Sequence, residues 1–177
     1  MTNHIALFEP LMPANTGNIA RTCAGTDTAL HLIEPLGFST DDAHLKRAGL
    51  DYWDKVDITY HENLQAFMAA IPEGDELFLV SKFAKQTYVD PDYTKPDHDY
   101  WFLFGKETTG LPEPFMRQHP DEAIRIPQDD SHIRALNLSN SAAIVIYEVV
   151  RQQGFNQLEQ THWYTNDKLK EPAQLPW

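Results

Sequence analysis

Residues 100 to 112 read Tyr100-Trp101-Phe102-Leu103-Phe104-Gly105-Lys106-Glu107-Thr108-Thr109-Gly110-Leu111-Pro112. The unbroken apolar run predicts a strand buried on both faces, and the glycine-bounded polar loop after it predicts an abrupt end. Strands of similar character are expected at His4 to Phe8, Ala29 to Ile33, Val56 to Tyr60, Leu77 to Ser81 and Ile124 to Ile126. Helical segments fall between them, at about Asn15 to Thr26, Asp41 to Ala48 and Leu64 to Ile71, with Pro72 ending the last. A further helix follows Asn137, where Leu138, Ala142, Val145, Ile146 and Val149 recur at helical spacing. This alternation predicts an α/β fold, a mainly parallel sheet with helices on both faces. Ligands of such sheets sit beyond the carboxyl ends of the strands, and Phe104-Gly105 and Ile126-Pro127 mark two of those ends.

A chain of 177 residues with 42% hydrophobic content suits one domain, expected over residues 1–155, with residues 156–177 as a C-terminal extension of different character. The single cysteine, Cys23, excludes a disulfide framework within the chain and fits a reducing, cytoplasmic setting. No signal peptide or membrane-length apolar run is visible, so a soluble protein is expected. The formal charge of −12 opposes general attraction to polyanions. A nucleic-acid partner would have to be met by a local patch, for which Arg21, Lys46, Arg47, Lys82, Lys106 and Arg134 are the candidates.

Three polar segments follow expected strands or open expected helices. Asn15-Thr16-Gly17-Asn18-Ile19-Ala20-Arg21 places amides and an arginine at a helix entry, an arrangement suited to an anionic oxygen and equally to an ordinary cap. Gly105 to Gly110 allows main-chain groups to close on a ligand, although it fails as a phosphate-binding P-loop because Tyr100 and Glu107 stand where glycine and Ser or Thr are required. Arg134-Ala135-Leu136-Asn137-Leu138-Ser139-Asn140 crowds two amides and a hydroxyl at a helix mouth, which taken alone reads as a cap. Three such segments at one sheet edge favour a shared pocket.

In order and spacing these segments resemble the three motifs of the SPOUT-class RNA 2′-O-methyltransferases. The runs Ile33-Glu34-Pro35-Leu36-Gly37-Phe38 and Arg47-Ala48-Gly49-Leu50-Asp51-Tyr52 are most similar to the TrmL (YibK-like) group, whose members methylate the ribose of a tRNA wobble nucleotide. The resemblance covers residue 4 to about residue 155. It implies a C-terminal trefoil knot, a homodimer sharing its active sites, tRNA as substrate and S-adenosylmethionine as methyl donor, with no metal and no membrane partner. It also implies cofactor contacts from Val80, Gly105, Ile126, Ala135, Asn137, Ser139 and Asn140, and catalytic roles for Arg21, Asn15, Glu107 and Asn137. Arg21 matches the arginine to which hydroxyl activation is assigned. An arginine is a poor proton acceptor, so phosphate binding and alkoxide stabilisation suit it better. Many relatives carry serine where this chain has Ala135, which keeps open the alternative of a non-catalytic RNA-binding or assembly protein.

Other features read plainly. Cys23 lies among apolar neighbours and is expected to be buried rather than nucleophilic. The eight histidines show no metal-ligand spacing, and Asp90 to Asp99 has Lys95 where a calcium loop needs glycine.

Overall fold

The computed structural model describes residues 1–39, 53, 55–156 and 158–161. Strands β1 (Asn3–Phe8), β2 (Thr28–Ile33), β3 (Ile58–His61), β4 (Glu76–Val80), β5 (Gln86–Thr87), β6 (Tyr100–Phe104) and β7 (Ala123–Arg125) form one parallel sheet in the order β3-β2-β1-β6-β4-β7-β5. Every residue of β2 and β6 is buried, as an apolar run at the centre of a covered sheet requires. Helices α1 (Pro13–Thr26) and α4 (Leu138–Gln152) cover one face. There Ile19, Ala20 and Cys23 meet Val145, Ile146 and Val149 over Ile5, Leu7, Leu30 and Phe102. The other face packs Ala6, Ile33, Leu79 and Leu103 against Phe67 of α2 (Leu64–Ala70) and Phe115 and Met116 of α3 (Glu113–Gln118).

Differences from the expected elements have local causes. Helix α1 starts at Pro13, whose fixed φ suits a first helical position, so Asn15 stands inside the first turn and no side chain caps the end. Strand β3 begins at Ile58 rather than Val56. The two-residue β5 and the six-residue α3 are too short to leave a periodic signal. The expected helix at Asp41 to Ala48, the candidates Lys46 and Arg47 and most of the extension lie outside the described residues.

Cys23 is buried, and burial raises its thiol pKa well above the ordinary value, consistent with an inert core side chain.

Strand register also builds a ladder that scattered histidines did not announce. His4 pairs with Ala29, two residues before His31, and His31 pairs with Thr59, two residues before His61. A step of two keeps all three rings on one face and within reach of the diagonal neighbour. His4 Nδ1 lies 3.0 Å from His31 Nε2, and His31 Nδ1 lies 2.9 Å from His61 Nε2. His4 stacks on Trp101 at 3.8 Å between centroids, with Asp99 3.7 Å from its Nε2. His31 is only 6% exposed. Burial, and then its two histidine neighbours, push its pKa down to about 3. Burial also lowers His4, against opposing pulls from Asp99, Asp75 and Asp57, and lowers His61.

The folded state thus refuses a proton that the unfolded chain accepts near pH 6.5. The stability held by neutral His31 is complete above that value and is lost as pH falls from about 6.5 towards 3. At pH 5 the expected loss from His31 alone is about 2 kcal/mol. Urea unfolding at about pH 7 and pH 5 measures it. The loss should shrink in His31→Leu, and a stability independent of pH in wild type would contradict the assignment.

Candidate functional site

An open cavity of about 980 Å³ lies beyond the carboxyl ends of β4, β6 and β7. Val80, Phe104, Gly105 and Ile126 line its base. The Lys106 to Leu111 loop and the Arg134 to Leu138 approach to α4 line its sides. Its size and its mixture of apolar side chains with polar loops suit a small-molecule or cofactor ligand.

Its shape is set by a relay of side chains. Glu107 accepts from Leu11 N at 2.8 Å through Oε2, and from Met12 N and Asn15 Nδ2, each at 3.1 Å, through Oε1. Asn15 Oδ1 in turn accepts from Asn137 Nδ2 at 3.0 Å. Asn137 Oδ1 then caps α4, accepting from Ser139 N at 2.9 Å, Ser139 Oγ at 2.7 Å and Asn140 N at 3.3 Å. Donors and acceptors alternate along the relay, which fixes the orientation of both amides. One buried asparagine on α1 therefore ties the glycine loop to the mouth of α4. The capping bonds alone are worth about 1 kcal/mol.

The glycine loop closes on itself, with Lys106 N donating to Gly110 O at 3.2 Å and Gly110 N to Lys106 O at 2.8 Å. Gly110 sits at φ +72, in the left-handed region. Gly105 is needed for a different reason. A Cβ there would fall 2.3 Å from Gly110 C and 2.4 Å from Leu111 N. Lys106 forms an ion pair with Glu9, so its charge is partly engaged within the protein.

Of the residues expected at the site, Val80, Gly105, Ile126, Ala135, Asn137, Asn15 and Glu107 line the cavity. Ser139 and Asn140 do not. They belong to the first turn of α4 and are tied to Asn137. Arg21 is also outside the lining, on the exposed side of α1 with Ala14, Asn18 and Gly25. On α4, Val145, Ile146 and Val149 are all buried within the protomer, and Ile144 and Tyr147 are its exposed large apolar side chains. Phe83, Gln128 and Ile133 line the cavity without having been singled out in the sequence. Phe83 stands among Ser81, Lys82 and Lys85, and a lone aromatic in a polar run acquires meaning only once the strand end is located. Among the described residues no group of three or more His, Cys, Asp or Glu side chains is placed to hold a metal ion. No helix among them is long and apolar enough to cross a membrane.

Glu107→Gln should expose the relay's weak point. The new amide NH₂ must face N–H donors that the carboxylate now accepts from. Hydrogen bonds to charged groups are worth about 1.5–3 kcal/mol each, so a stability loss of about 2 kcal/mol is expected in urea unfolding. A variant as stable as wild type would show that the relay is not the tie described.

The profile of the SpoU rRNA Methylase family matches residues 2–147. A protein of Lactococcus lactis subsp. cremoris, provisionally named tRNA (cytidine(34)-2′-O)-methyltransferase, is 62% identical over 168 residues, covering 95% of this chain and 99% of its own. A solved structure of a Bacillus anthracis protein, provisionally described as an RNA methyltransferase, is 51% identical with a TM-score of 0.82, covering 89% of this chain and 98% of the other. A solved structure concerned with 2′-OH methylation of C/U34 on tRNA is 38% identical with a TM-score of 0.80, covering 87% and 97% of the two chains.

Proposed function

The chain belongs to the SpoU rRNA Methylase family, and from that premise we propose that it transfers a methyl group from S-adenosylmethionine to the ribose 2′-hydroxyl of nucleotide 34 of tRNA. The observation that carries this reading is the Glu107 to Asn15 to Asn137 relay, which binds three separated polar segments around one cavity at the strand ends. Relatives named for cytidine 34 methylation match this chain nearly end to end, which points to the wobble ribose rather than another site.

The cavity's lining fits the donor. Val80, Ile126 and Leu138 offer apolar contact, and the Gly105 to Leu111 main chain, too closely packed for a Cβ at Gly105, offers backbone groups. When bound there, S-adenosylmethionine supplies an electrophilic methyl on a sulfonium. The protein must place the 2′-oxygen in line and ease loss of its proton. Asn137 and the Ala135 backbone hold the cofactor side of the site. Asn15 and Glu107, committed to each other and to the chain before α1, act as positioning residues. Arg21 binds phosphate and stabilises the developing alkoxide.

Arg21 is displaced from its own protomer's cavity lining, so this role calls for a homodimer in which α1 of one protomer faces the cavity of its partner. Ile144 and Tyr147 of α4 supply apolar surface for such a contact. The C-terminal trefoil knot, the division at residue 155 and a cytoplasmic setting are part of the same proposal.

Incubation with methyl-labelled S-adenosylmethionine and unfractionated tRNA, followed by nucleoside mapping, tests it. Label is expected in a 2′-O-methylated nucleotide 34. Cofactor binding without label in any tRNA would favour a non-catalytic RNA-binding protein, and label at another position would overturn the assignment to the wobble ribose.

A further inference from the structure

The cavity has a rim whose chemistry differs from its base. Where β4 ends, the chain turns through Ser81, Lys82 and Phe83, and Phe83 N donates to Ser81 Oγ at 3.3 Å. The turn presents Phe83 at 75% exposure while keeping it in the cavity lining. Lys82 Nζ lies 5.2 Å from the centroid of its ring. A single exposed apolar side chain is ordinary by itself, and it is the position of this ring in the lining of a cavity that gives it meaning.

A second segment of the lining is also ordered. Asp129 Oδ1 accepts from Ser131 N and Oγ, its Oδ2 meets His132 Nδ1 at 2.8 Å, and its carbonyl accepts from Ile133 N at 3.2 Å. Gln128 Nε2 donates to Asp130 Oδ1 at 2.7 Å and to Arg134 O at 3.3 Å. This turn sets Ile133, 41% exposed, in the lining beside Arg134. Asp130 is held below its ordinary pKa by hydrogen bonds from Gln128 and then Arg125, and both segments line the same cavity.

An aromatic face with a lysine over it, on the same cavity as an arginine, is the combination that proteins offer to single-stranded nucleic acid for base stacking and phosphate contact. We infer that Phe83 is a stacking platform for a nucleobase of the RNA substrate, with Lys82 and Arg134 meeting its phosphates. This rests on the proposed tRNA methylation and assigns a residue to holding the substrate rather than the donor. Every base has a π face, so such a platform serves C34 and U34 alike.

The test compares Phe83→Ala, Phe83→Leu and Phe83→Trp with wild type. The side chain is outside both core clusters, so the variants should fold normally, with unchanged melting as the check. Phe83→Ala is expected to raise KM for tRNA by about 5- to 150-fold, Phe83→Leu by less, and Phe83→Trp to stay close to wild type. Calorimetric affinity for S-adenosylmethionine should not change. An unaltered KM in Phe83→Ala would overturn the platform while leaving the methyltransferase reading intact. Equal loss of tRNA and donor affinity would also overturn it, assigning the ring to the donor. If wild type shows no turnover, filter binding of tRNA decides the matter, since Phe83→Ala must still bind more weakly.

Discussion

Arg21→Ala is expected to lower kcat for tRNA methylation by about 10²- to 10³-fold while leaving the affinity for S-adenosylmethionine unchanged. The separation follows from position. Arg21 is on the exposed side of α1, outside the cavity that the glycine loop and the α4 mouth enclose. Arg21 is not a member of the Asn15 relay, the Gly105 loop or the cavity base. On the proposed role, what is lost is a cation for the phosphate and for the oxygen that gains negative charge as its proton leaves, an interaction strongest in the transition state. Single-turnover kinetics with calorimetry would read both quantities, and parallel loss of both would contradict the role.

The same variant tests whether the site is shared. Arg21→Ala subunits mixed with subunits defective in the cavity should regain activity, because a mixed dimer holds one cavity that is intact and faced by an intact arginine. Random pairing makes half the dimers mixed, each with one working site of two, so recovery should reach about a quarter of the wild-type rate. No recovery, under conditions where subunits demonstrably exchange, would place Arg21 in service of its own protomer.

The sheet was readable in the sequence because its strands are short apolar runs separated by helices, and a strand buried on both faces has few other ways to be written. β2 and β6 are the clearest cases, buried along their whole length. The site was readable in part. Asn15, Glu107 and Asn137 could be picked out as polar residues at element ends, but 92 and 122 residues separate Asn15 from its partners, and no local pattern joins them. The histidine ladder was hidden for a related reason, since it depends on the register between β1, β2 and β3. Phe83 was hidden because exposure is set by the turn after β4 and not by residue type. In each case the missing information was which strands are neighbours and how far each is slid along the next.

Gly105→Ala is expected to abolish methyl transfer by destroying the part of the cavity proposed to hold the donor, and Gly110→Ala is not. Both glycines bound the same loop, yet they answer different demands. Gly110 has a positive φ and open space around its missing Cβ, so alanine there meets backbone strain of about 1 kcal/mol with no collision. At Gly105 a methyl would sit 2.3 to 2.6 Å from Gly110 C, Leu111 N and Gly110 Cα. All three are main-chain atoms, which cannot swing aside as the tip of a flexible side chain can. The loop must then open, breaking the paired hydrogen bonds between Lys106 and Gly110 and shifting Glu107, the residue that ties the loop to Leu11, Met12 and Asn15. Overpacking against rigid neighbours typically costs about 1–3 kcal/mol, and a stability loss near the top of that range is expected. A misplacement of about 1 Å at reacting groups is enough to cost about 10²-fold in rate, so turnover should fall by at least that much, with donor affinity falling alongside it. Donor calorimetry, urea unfolding and methyl transfer on the two alanine variants give the comparison. Gly105→Ala retaining both donor affinity and turnover, or Gly110→Ala proving the more damaging, would show that the loop is more yielding than its packing implies.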